Sequence, residues 1–274
     1  MNLRLFSTYA ILTLLVIAAA YPALWIVMSS LKVGDSLYSE TFIPRAFTLE
    51  HYQDLFNSNI HKYPIWFMNT LKIAVFSTIL GTFITMLGSY AISRFRFKGR
   101  KQTMMGLLIL NMFPGFMAMI SIFILLSQIK MLDNHWALVM VYSAGALTMN
   151  FFVAKGFFDT IPRSLEEAAR MDGADHMTVF MKIILPLSKP MLTYISLMIF
   201  TGAWVDFIFA KLILVSQDKI TLAVGLYDMV NQRNSTEFTM FAAGAVLLAI
   251  PIIVIFFWLQ RFLVEGLTAG ANKG

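Results

Sequence analysis

The chain offers few residues that could carry out a reaction, and their spacing matches no catalytic or metal-binding motif. It contains no cysteine, which excludes disulfides, thiol catalysis and thiolate metal sites. The Gly-Lys dipeptide of a Walker A phosphate loop does not occur, and neither does an H-E-x-x-H zinc motif or a G-x-S-x-G nucleophile elbow. The four histidines are scattered, at His51, His61, His135 and His176. We therefore expect that the chain is not an enzyme and binds no metal or cofactor of its own.

A polar segment in the second half of the chain carries the clearest local pattern. Residues 162–174 run Pro-Arg-Ser-Leu-Glu-Glu-Ala-Ala-Arg-Met-Asp-Gly-Ala. Ser164, followed three residues later by Glu167, forms a capping box, which predicts that a helix begins there. Gly173 is suited to end that helix because a left-handed residue often closes one. The apolar residues on one face of the helix would be Leu165, Ala168 and Ala169.

A second short helix is expected directly after this turn. Asp175 is placed to cap it. A helical stripe follows at positions i, i+3, i+4 and i+7, formed by Met177, Phe180, Met181 and Ile184. Pro186 and Pro190 would then stop the helix and begin the next apolar run. Residues 156–189 are therefore predicted to form a helix–turn–helix.

The composition indicates that these polar elements belong to a membrane protein. Hydrophobic residues make up 58% of the 274 residues and charged residues only 13%, whereas soluble domains carry roughly 25% charged residues. A soluble fold of this size could not bury so much apolar surface, which excludes a soluble enzyme, a disordered chain and a nucleic-acid-binding protein. A spanning helix needs roughly 20 mostly apolar residues. Six runs meet this length: 9–31, 67–92, 103–127, 136–155, 190–210 and 239–263.

The distribution of Lys and Arg predicts the orientation of these six spans. With the N-terminus inside, the inner segments hold thirteen Lys and Arg, the outer segments seven, and Lys72 lies near the start of the second run. The densest cluster, Arg94 to Lys101, lies in a short loop, where the rule is strongest. Both termini are therefore predicted to be cytoplasmic. The first run continues too far for a signal peptide, and we expect it to be a retained helix.

Two positions inside the spans draw attention because buried polar groups are costly in a membrane. Asp206 is the one acidic residue within the six runs. It could form a structural pair with Lys211, face a pathway or reach the interface. Pro114-Gly115 in the third run predicts a kink that frees backbone groups, and Asn111 is placed to bind one of them.

The helix–turn–helix also resembles a known family. Its Glu167-Ala168-Ala169, followed by Gly173 and later by Ile183 and Leu185-Pro186, resembles the EAA loop of importer-type ABC transporter permeases. The resemblance covers nearly the whole chain, since six spans with this loop between the fourth and fifth is the permease layout. Two further stretches, 221–226 and 260–270, resemble the smaller permease subunit of maltose and maltodextrin importers.

This resemblance implies an all-α integral membrane protein with a single permease domain over 1–274. The coupling loop would span about 156–189, the last extracytoplasmic loop about 211–238 and the cytoplasmic tail 264–274. The chain would be one subunit of an ATP-driven sugar importer for maltose, maltodextrin or a related oligosaccharide, in a bacterial inner membrane. Its implied partners are a second permease subunit, two cytoplasmic ATPases that hold ATP and Mg²⁺, an extracytoplasmic solute-binding protein and membrane lipids, but no nucleic acid.

The resemblance also assigns roles to residues. The coupling positions would be Glu167, Ala168, Ala169, Asp172, Gly173, Ile183, Leu185 and Pro186. Among these, Glu167 would contact the ATPase, the alanine pair would permit close approach and Gly173 would make the turn. The open alternative is an amphipathic hairpin that lies on the membrane surface, with Gly173 as a simple helix stop.

Two other segments receive roles in the same way. The solute-binding protein would contact the last outer loop at Asp228, Asn231, Gln232, Arg233 and Asn234. The tail would reach between the ATPases with Gly266, Leu267, Thr268 and Gly270. An ordinary connecting loop and a frayed terminus are the alternatives. No residue is assigned to sugar binding, because aromatic residues are too abundant to single one out.

Other classes of membrane protein fit less well. An intramembrane enzyme would need paired catalytic groups at matching depth, and Asp206 has no acidic partner within the six runs. A receptor would usually carry a soluble output domain, and none fits in the loops. An ion-driven carrier would show inverted repeats and several buried ionisable groups. A permease for another carbohydrate remains the main alternative.

Overall fold

The computed structural model describes residues 3–35, 42–57, 61–231 and 237–271, with side chains between 5 and 262. The described residues are almost entirely helical, with one isolated antiparallel bridge between Lys32 and Phe47. The helices are α1 (Leu3–Ser30), α2 (Glu50–Asn57), α3 (Tyr63–Arg94), α4 (Arg100–Met112), α5 (Gly115–Gln128), α6 (His135–Thr160), α7 (Ser164–Met171), α8 (His176–Val179), a π-helical turn (Phe180–Ile184), α9 (Leu185–Leu187), α10 (Lys189–Val205), α11 (Ile208–Ile213), α12 (Leu222–Asn231) and α13 (Phe238–Ala271). The predicted all-α membrane architecture is confirmed.

Four of these helices are long and apolar enough to cross a membrane by themselves. They supply the candidate spans Leu5–Ser30, Tyr63–Arg94, His135–Thr160 and Phe238–Phe262. The predicted first, second, fourth and sixth runs lie within or closely overlap these helices. Two bent helix pairs pass the same test, so the described chain has up to six candidate spans when each pair counts as one.

The first bend contains Pro114, and the second, at Ser188, lies between Pro186 and Pro190. The pair Arg100–Met112 and Gly115–Gln128 bends by 103°, at the predicted Pro114-Gly115 kink. Asn111 Nδ2 donates to Leu107 O at 2.9 Å and to Thr148 O at 2.7 Å, so it binds backbone oxygens next to the bend as expected. The pair His176–Leu187 and Lys189–Val205 bends by 80°. The fifth run is therefore helical from Lys189 but broken again after Val205, where α10 ends.

The chain divides into two compact units. The first comprises Met1–Phe67 and Leu222–Pro251, and the second comprises Met68–Thr221 and Ile252–Gly274. In the first unit, Tyr63 Oη donates to Gly244 O at 3.0 Å, and the Trp66 ring lies against Gly225. A Cβ at position 225 would lie 2.1 Å from Trp66 Cε3, so only glycine fits there. This contact gives a physical reason for the glycine of the predicted 221–226 motif.

The second unit is built on close packing between α3 and α6. Small residues recur every four positions along α3, at Ser77, Gly81, Thr85, Ser89 and Ser93. A Cβ added at Gly81 would lie 3.2 Å from Ala146 Cβ, and Ser89 Oγ donates to Phe151 O at 3.2 Å. Small side chains let membrane helices approach closely, and hydroxyls can bond across the interface. This packing holds the C-terminal ends of α3 and α6 together. The segment that follows α6 therefore begins beside the end of α3.

Candidate functional site

The predicted helix–turn–helix is present between α6 and α10, and residues 162–188 are called the hairpin here. Its first helix, α7, begins at Ser164 as expected. The predicted capping box does not form, however, because Arg163 occupies the N-cap position and no side chain caps the helix. The backbone N–H groups of Glu166 and Glu167 bond instead to Arg163 O, both at 3.0 Å. Ser164 is therefore the first helical residue and not the cap.

The turn of the hairpin agrees with the prediction in detail. Gly173 has φ +87°, in the left-handed region that favours glycine. Its N–H bonds to Arg170 O at 3.0 Å, and Ala174 N–H bonds to Ala169 O at 3.0 Å. These two bonds form a Schellman motif, which satisfies the last carbonyls of α7.

The second arm begins with the predicted cap but then departs from the predicted stripe. Asp175 Oδ1 accepts from Thr178 N–H at 2.9 Å, and the hydrogen bonds from Thr178 lower the pKa of Asp175. The helix then widens into the π-helical turn, so that Val179, Phe180 and Ile184 are buried. Of the predicted stripe, Phe180 and Ile184 are buried, whereas Met177, which precedes the wider turn, and Met181 within it are exposed.

The inner face of α7 is held by a buried acid that the sequence analysis did not single out. The Glu166 side chain is 5% exposed, and its Oε1 lies 2.5 Å from Arg94 Nε at the end of α3. Tyr90 Oη donates to Glu166 Oε2 at 3.1 Å. Arg94 also donates through Nη2 to Ile161 O at 2.9 Å. The hairpin is thus tied by an ion pair and a hydrogen bond to α3.

Aromatic packing surrounds this ion pair. The Tyr90 ring lies 5.7 Å from Phe158 of α6 and 4.8 Å from Phe180 in the second arm, between ring centroids. Phe95 makes a third contact with Tyr90 at 6.0 Å. Tyr90 therefore lies between the second arm and α6, inside a buried cluster that also contains Val179 and Ile184.

The outer face of α7 carries several of the predicted coupling residues. Glu167, Ala168, Asp172 and Gly173 are exposed, and Met171 beside them is 89% exposed. The face is compact and mixes carboxylates with an alanine and a methionine. A helix surface of this kind can receive another protein surface at close range, because Ala168 adds little bulk.

The other predicted coupling positions have different surroundings. Ala169, Ile183 and Leu185 pack partly buried against the cluster beneath the hairpin. Pro186 is exposed and lies in the short helix α9, just before the 80° bend. Ala169, Ile183 and Leu185 therefore attach the hairpin, whereas Glu167, Ala168, Asp172 and Gly173 lie on its exposed face.

The predicted outer-loop and tail positions are only partly described. Asp228 is half-buried and Asn231 is exposed, and both lie in α12, so this part of the expected outer loop is a helix. Gln232, Arg233 and Asn234 lie outside the described residues. The backbone of Gly266, Leu267, Thr268 and Gly270 belongs to α13, which continues to Ala271, and the side chains of these four residues lie outside the described part.

Asp206 has structural partners. Its Oδ2 accepts from Tyr142 Oη at 2.7 Å and from Ala210 N–H at 2.8 Å. It therefore joins α6 to the start of α11, at the break that ends α10. Asp206 thus has Tyr142 as a side-chain partner, and the pairing with Lys211 stays a prediction.

A groove of about 530 Å³ runs along α3 and α10, with Trp258 of α13 on one wall. Its walls are mainly apolar, and the hydroxyl groups along it include Thr78 and Ser196. Thr78 Oγ1 donates to Ala74 O at 2.7 Å within its own helix, and Ser196 Oγ lies 3.2 Å from Thr82 Oγ1. The polar side chains of the lining include Thr193 and Lys189 besides Thr78 and Ser196, and we assign no ligand to the groove.

The sequence is similar to those of known transport proteins. Residues 84–268 match the family described as "Binding-protein-dependent transport system inner membrane component". The galactooligosaccharides transport system permease protein GanQ of Bacillus subtilis (strain 168) is 41% identical over 273 residues, which cover 99% of this chain and 96% of that protein. The maltodextrin transport system permease protein MdxG of the same organism is also 41% identical, over 267 residues that cover 97% and 95%.

A solved structure shares the fold. The crystal structure of a bacterial ABC transporter involved in the import of the acidic polysaccharide alginate contains a chain that matches with a TM-score of 0.83. The match covers 94% of this chain and 96% of that chain, at 24% sequence identity. The two chains therefore share one helical fold.

Proposed function

Because the chain belongs to the family of binding-protein-dependent transport system inner membrane components, we propose that partner ATPases drive it through the exposed face of α7. The predicted resemblance to sugar ABC permeases is confirmed, and the chain is a transport subunit and not an enzyme. It is an integral membrane permease of a sugar ABC importer. The inner membrane as its location follows from the family description.

One observation carries the coupling proposal. Glu167, Ala168, Met171 and Asp172 are exposed on a helix whose opposite face is fixed by buried Glu166. The chain lacks the Walker A motif, so ATP hydrolysis by that route must come from another subunit. An exposed face on a firmly attached helix suits the transfer of movement, since a docked partner would shift the hairpin as a rigid body.

The proposed cargo is an oligosaccharide, maltodextrin or a related one. The relatives named for galactooligosaccharide and for maltodextrin transport are equally similar, at 41% identity. The support is therefore for the class of sugar, and maltodextrin is the member that the 221–226 and 260–270 stretches favour. A second permease subunit would complete the pathway, and α12 with the residues after it would face the solute-binding protein.

A co-purification experiment tests the coupling. The chain is tagged, expressed with its candidate permease and ATPase partners, and compared with Glu167→Lys and Gly173→Asp. Lysine at 167 reverses a charge on the exposed face, and aspartate at 173 strains the left-handed turn while a Cβ there meets no neighbour. We expect the ATPase to be lost from both variants, or its hydrolysis to become independent of sugar.

Matched controls separate these effects from general damage. Asp218→Lys reverses an exposed charge outside the hairpin, and Gly106→Ala adds a Cβ at another open position without a positive φ. Both controls should retain the ATPase. If Glu167→Lys and Gly173→Asp also retain it, and sugar still stimulates hydrolysis, α7 is not the docking surface.

The cargo is tested with the assembled transporter in liposomes. Purified solute-binding protein is added with maltodextrins, galactooligosaccharides or alginate oligosaccharides, and ATP hydrolysis is measured. We expect maltodextrins to stimulate it most. Stimulation by galactooligosaccharides alone would reassign the cargo within the same class.

A further inference from the structure

We infer that the buried pair of Glu166 and Arg94, with Tyr90, is the joint that passes movement of the hairpin to α3. The inference rests on the proposed function, since it requires a partner that moves the hairpin. Glu166 and Arg94 would be positioning residues that act between the exposed face of α7 and the spans. They belong to neither the docking surface nor the sugar pathway.

The geometry singles out this pair among the contacts of α7. Glu166 Oε1 lies 2.5 Å from Arg94 Nε, and Glu166 Oε2 accepts from Tyr90 Oη at 3.1 Å. Both partners lie on the last turns of α3, four residues apart on one face. A single glutamate side chain therefore links α7 to α3 through two atoms, and rotation of α7 on its own would stretch both contacts.

The apolar residues of α7 contribute little to this attachment. Leu165 and Met171 are exposed, and Ala169 is its one apolar residue that packs against the buried cluster. An ordinary amphipathic helix buries a stripe of large apolar side chains. Since α7 has none, the position of its inner face depends mainly on Glu166.

The surroundings make the pair stiff. Arg94 Nη2 donates to Ile161 O at 2.9 Å, just before the hairpin, and Arg163 Nη2 donates to Ser93 O at 3.4 Å. Two arginines thus cross between α3 and the segment that leads into α7. Ser93 Oγ also donates to Asp159 Oδ1 at 2.6 Å in α6. The ends of α3 and α6 and the start of α7 therefore move together as long as the charges remain paired.

The test measures the number of sugar molecules imported per ATP hydrolysed by the assembled transporter in liposomes. The variants are Glu166→Gln, Arg94→Gln and the exchange of both, Glu166→Arg with Arg94→Glu. We expect the ATPase retained per assembled permease to stay at the wild-type level. The import ratio should fall about 2- to 30-fold in the single variants, a range typical of residues within a coupling network. The exchanged pair should recover part of the ratio.

A merely structural role would give a different result. It would lower the amount of assembled transporter and leave the import ratio of the remainder unchanged, and that outcome would overturn the inference. Where Glu166→Gln does not assemble, Tyr90→Phe takes its place, since it removes only the hydroxyl that donates to Glu166. An unchanged ratio in Tyr90→Phe would then count against the joint.

A distance measurement tests the movement directly. Because the chain has no cysteine, spin labels can be attached at Ile79→Cys in α3 and Met177→Cys in the hairpin, both exposed positions. In the wild type, the label distance should be the same in the resting and the vanadate-trapped transporter. With Glu166→Gln it should broaden on trapping. A distance that already changes in the wild type would show that hairpin and α3 do not move together.

The two proposals fail in distinguishable ways. If Glu167→Lys retains the ATPase and normal sugar-stimulated hydrolysis, the docking function of α7 fails. If Glu167→Lys loses the ATPase while Glu166→Gln keeps both the ATPase and the import ratio, docking stands and only the joint fails.

Discussion

An acidic residue lies beyond each end of α6 and fastens a neighbouring segment. These two residues, Asp133 and Glu166, are held by different kinds of partner. Asp133 lies just before α6 and is 25% exposed. Its side chain accepts from the N–H groups of Val215 and Ser216, both at 3.0 Å, and from Ser216 Oγ at 2.6 Å. Lys219 Nζ lies 2.9 Å from Asp133 Oδ2. Most of these donors are neutral and belong to one short segment.

Glu166, beyond the other end of α6, has fewer partners and a drier site. Its charge is balanced mainly by Arg94, and Tyr90 donates one hydrogen bond. Oε1 contacts Arg94 as an ion pair, and within the described residues it has no aligned hydrogen bond. The Asp133 contact can therefore lose one partner and persist, whereas the Glu166 contact relies chiefly on Arg94, since its second cation, Arg170, is 42% exposed and lies 4.0 Å from Oε2. The number of neutral donors thus separates the Asp133 contact, called the clamp here, from the Glu166 contact, which we propose as the joint.

The largest expected effect comes from removing the Arg94 cation. Arg94→Met leaves buried Glu166 with the exposed Arg170, 4.0 Å away, as its counter-charge. Breaking a buried ion pair costs about 3–5 kcal/mol of unfolding free energy. Thermal unfolding of the purified subunit complex in detergent would report it as a lowered Tm.

The control for Arg94→Met is the double variant with Glu166→Met. Replacing a whole buried pair by apolar residues of similar size is often close to neutral. The double variant should therefore regain most of the lost stability. An Arg94→Met variant as stable as the wild type would show that Glu166 does not rely on Arg94.

A smaller effect is expected at Asp133. Although burial would raise the pKa of Asp133, hydrogen bonds from Ser216, Lys219 and Val215 outweigh it and hold that pKa well below its usual range. Asp133→Asn removes the charge and should cost about 1–3 kcal/mol at neutral pH. Because the folded pKa is depressed, the wild-type advantage is present above the unfolded value of about 3.9 and is lost as the pH falls towards the folded value.

The measurement is the Tm difference between wild type and Asp133→Asn from pH 7 down to pH 3. The difference should be constant at higher pH and shrink below about pH 4. A difference that stays the same throughout would mean that the hydrogen-bonded shape of the side chain matters and its charge does not. The charge of Asp133 would then not contribute to stability, and the difference from Glu166 would not be one of charge balance.

The local features of the hairpin were predictable because their causes lie within a few residues. Gly173 and Asp175 end and begin helices through bonds to near neighbours, and both predictions were confirmed. The Pro114-Gly115 bend follows from the restricted backbone of proline in the same way. The π-helical turn was missed, since nothing in the spacing of Met177 and Met181 distinguishes it from an α-helix.

The anchor of the hairpin was not predictable from the local pattern. Glu166 and Glu167 are adjacent and identical in type, yet one is buried and the other is exposed. The choice is made by Arg94, which is distant along the chain and lies beside Glu166 in the folded structure. A usable signal did exist, because Ser77, Gly81, Thr85, Ser89 and Ser93 recur every four residues and mark the face of α3 that meets α6.

The smallest loss of stability is expected at Lys219. Lys219→Met removes the cation from Asp133, as Arg94→Met does from Glu166, but Lys219 is 46% exposed. Exposed ion pairs contribute about 0–1 kcal/mol, and the donors from Val215 and Ser216 remain in place. The Tm should fall only slightly, and the small loss should diminish in high salt. If Lys219→Met instead costs as much as Arg94→Met, Asp133 depends on Lys219 as strongly as Glu166 depends on Arg94. The number of neutral donors would then not distinguish a clamp from a joint.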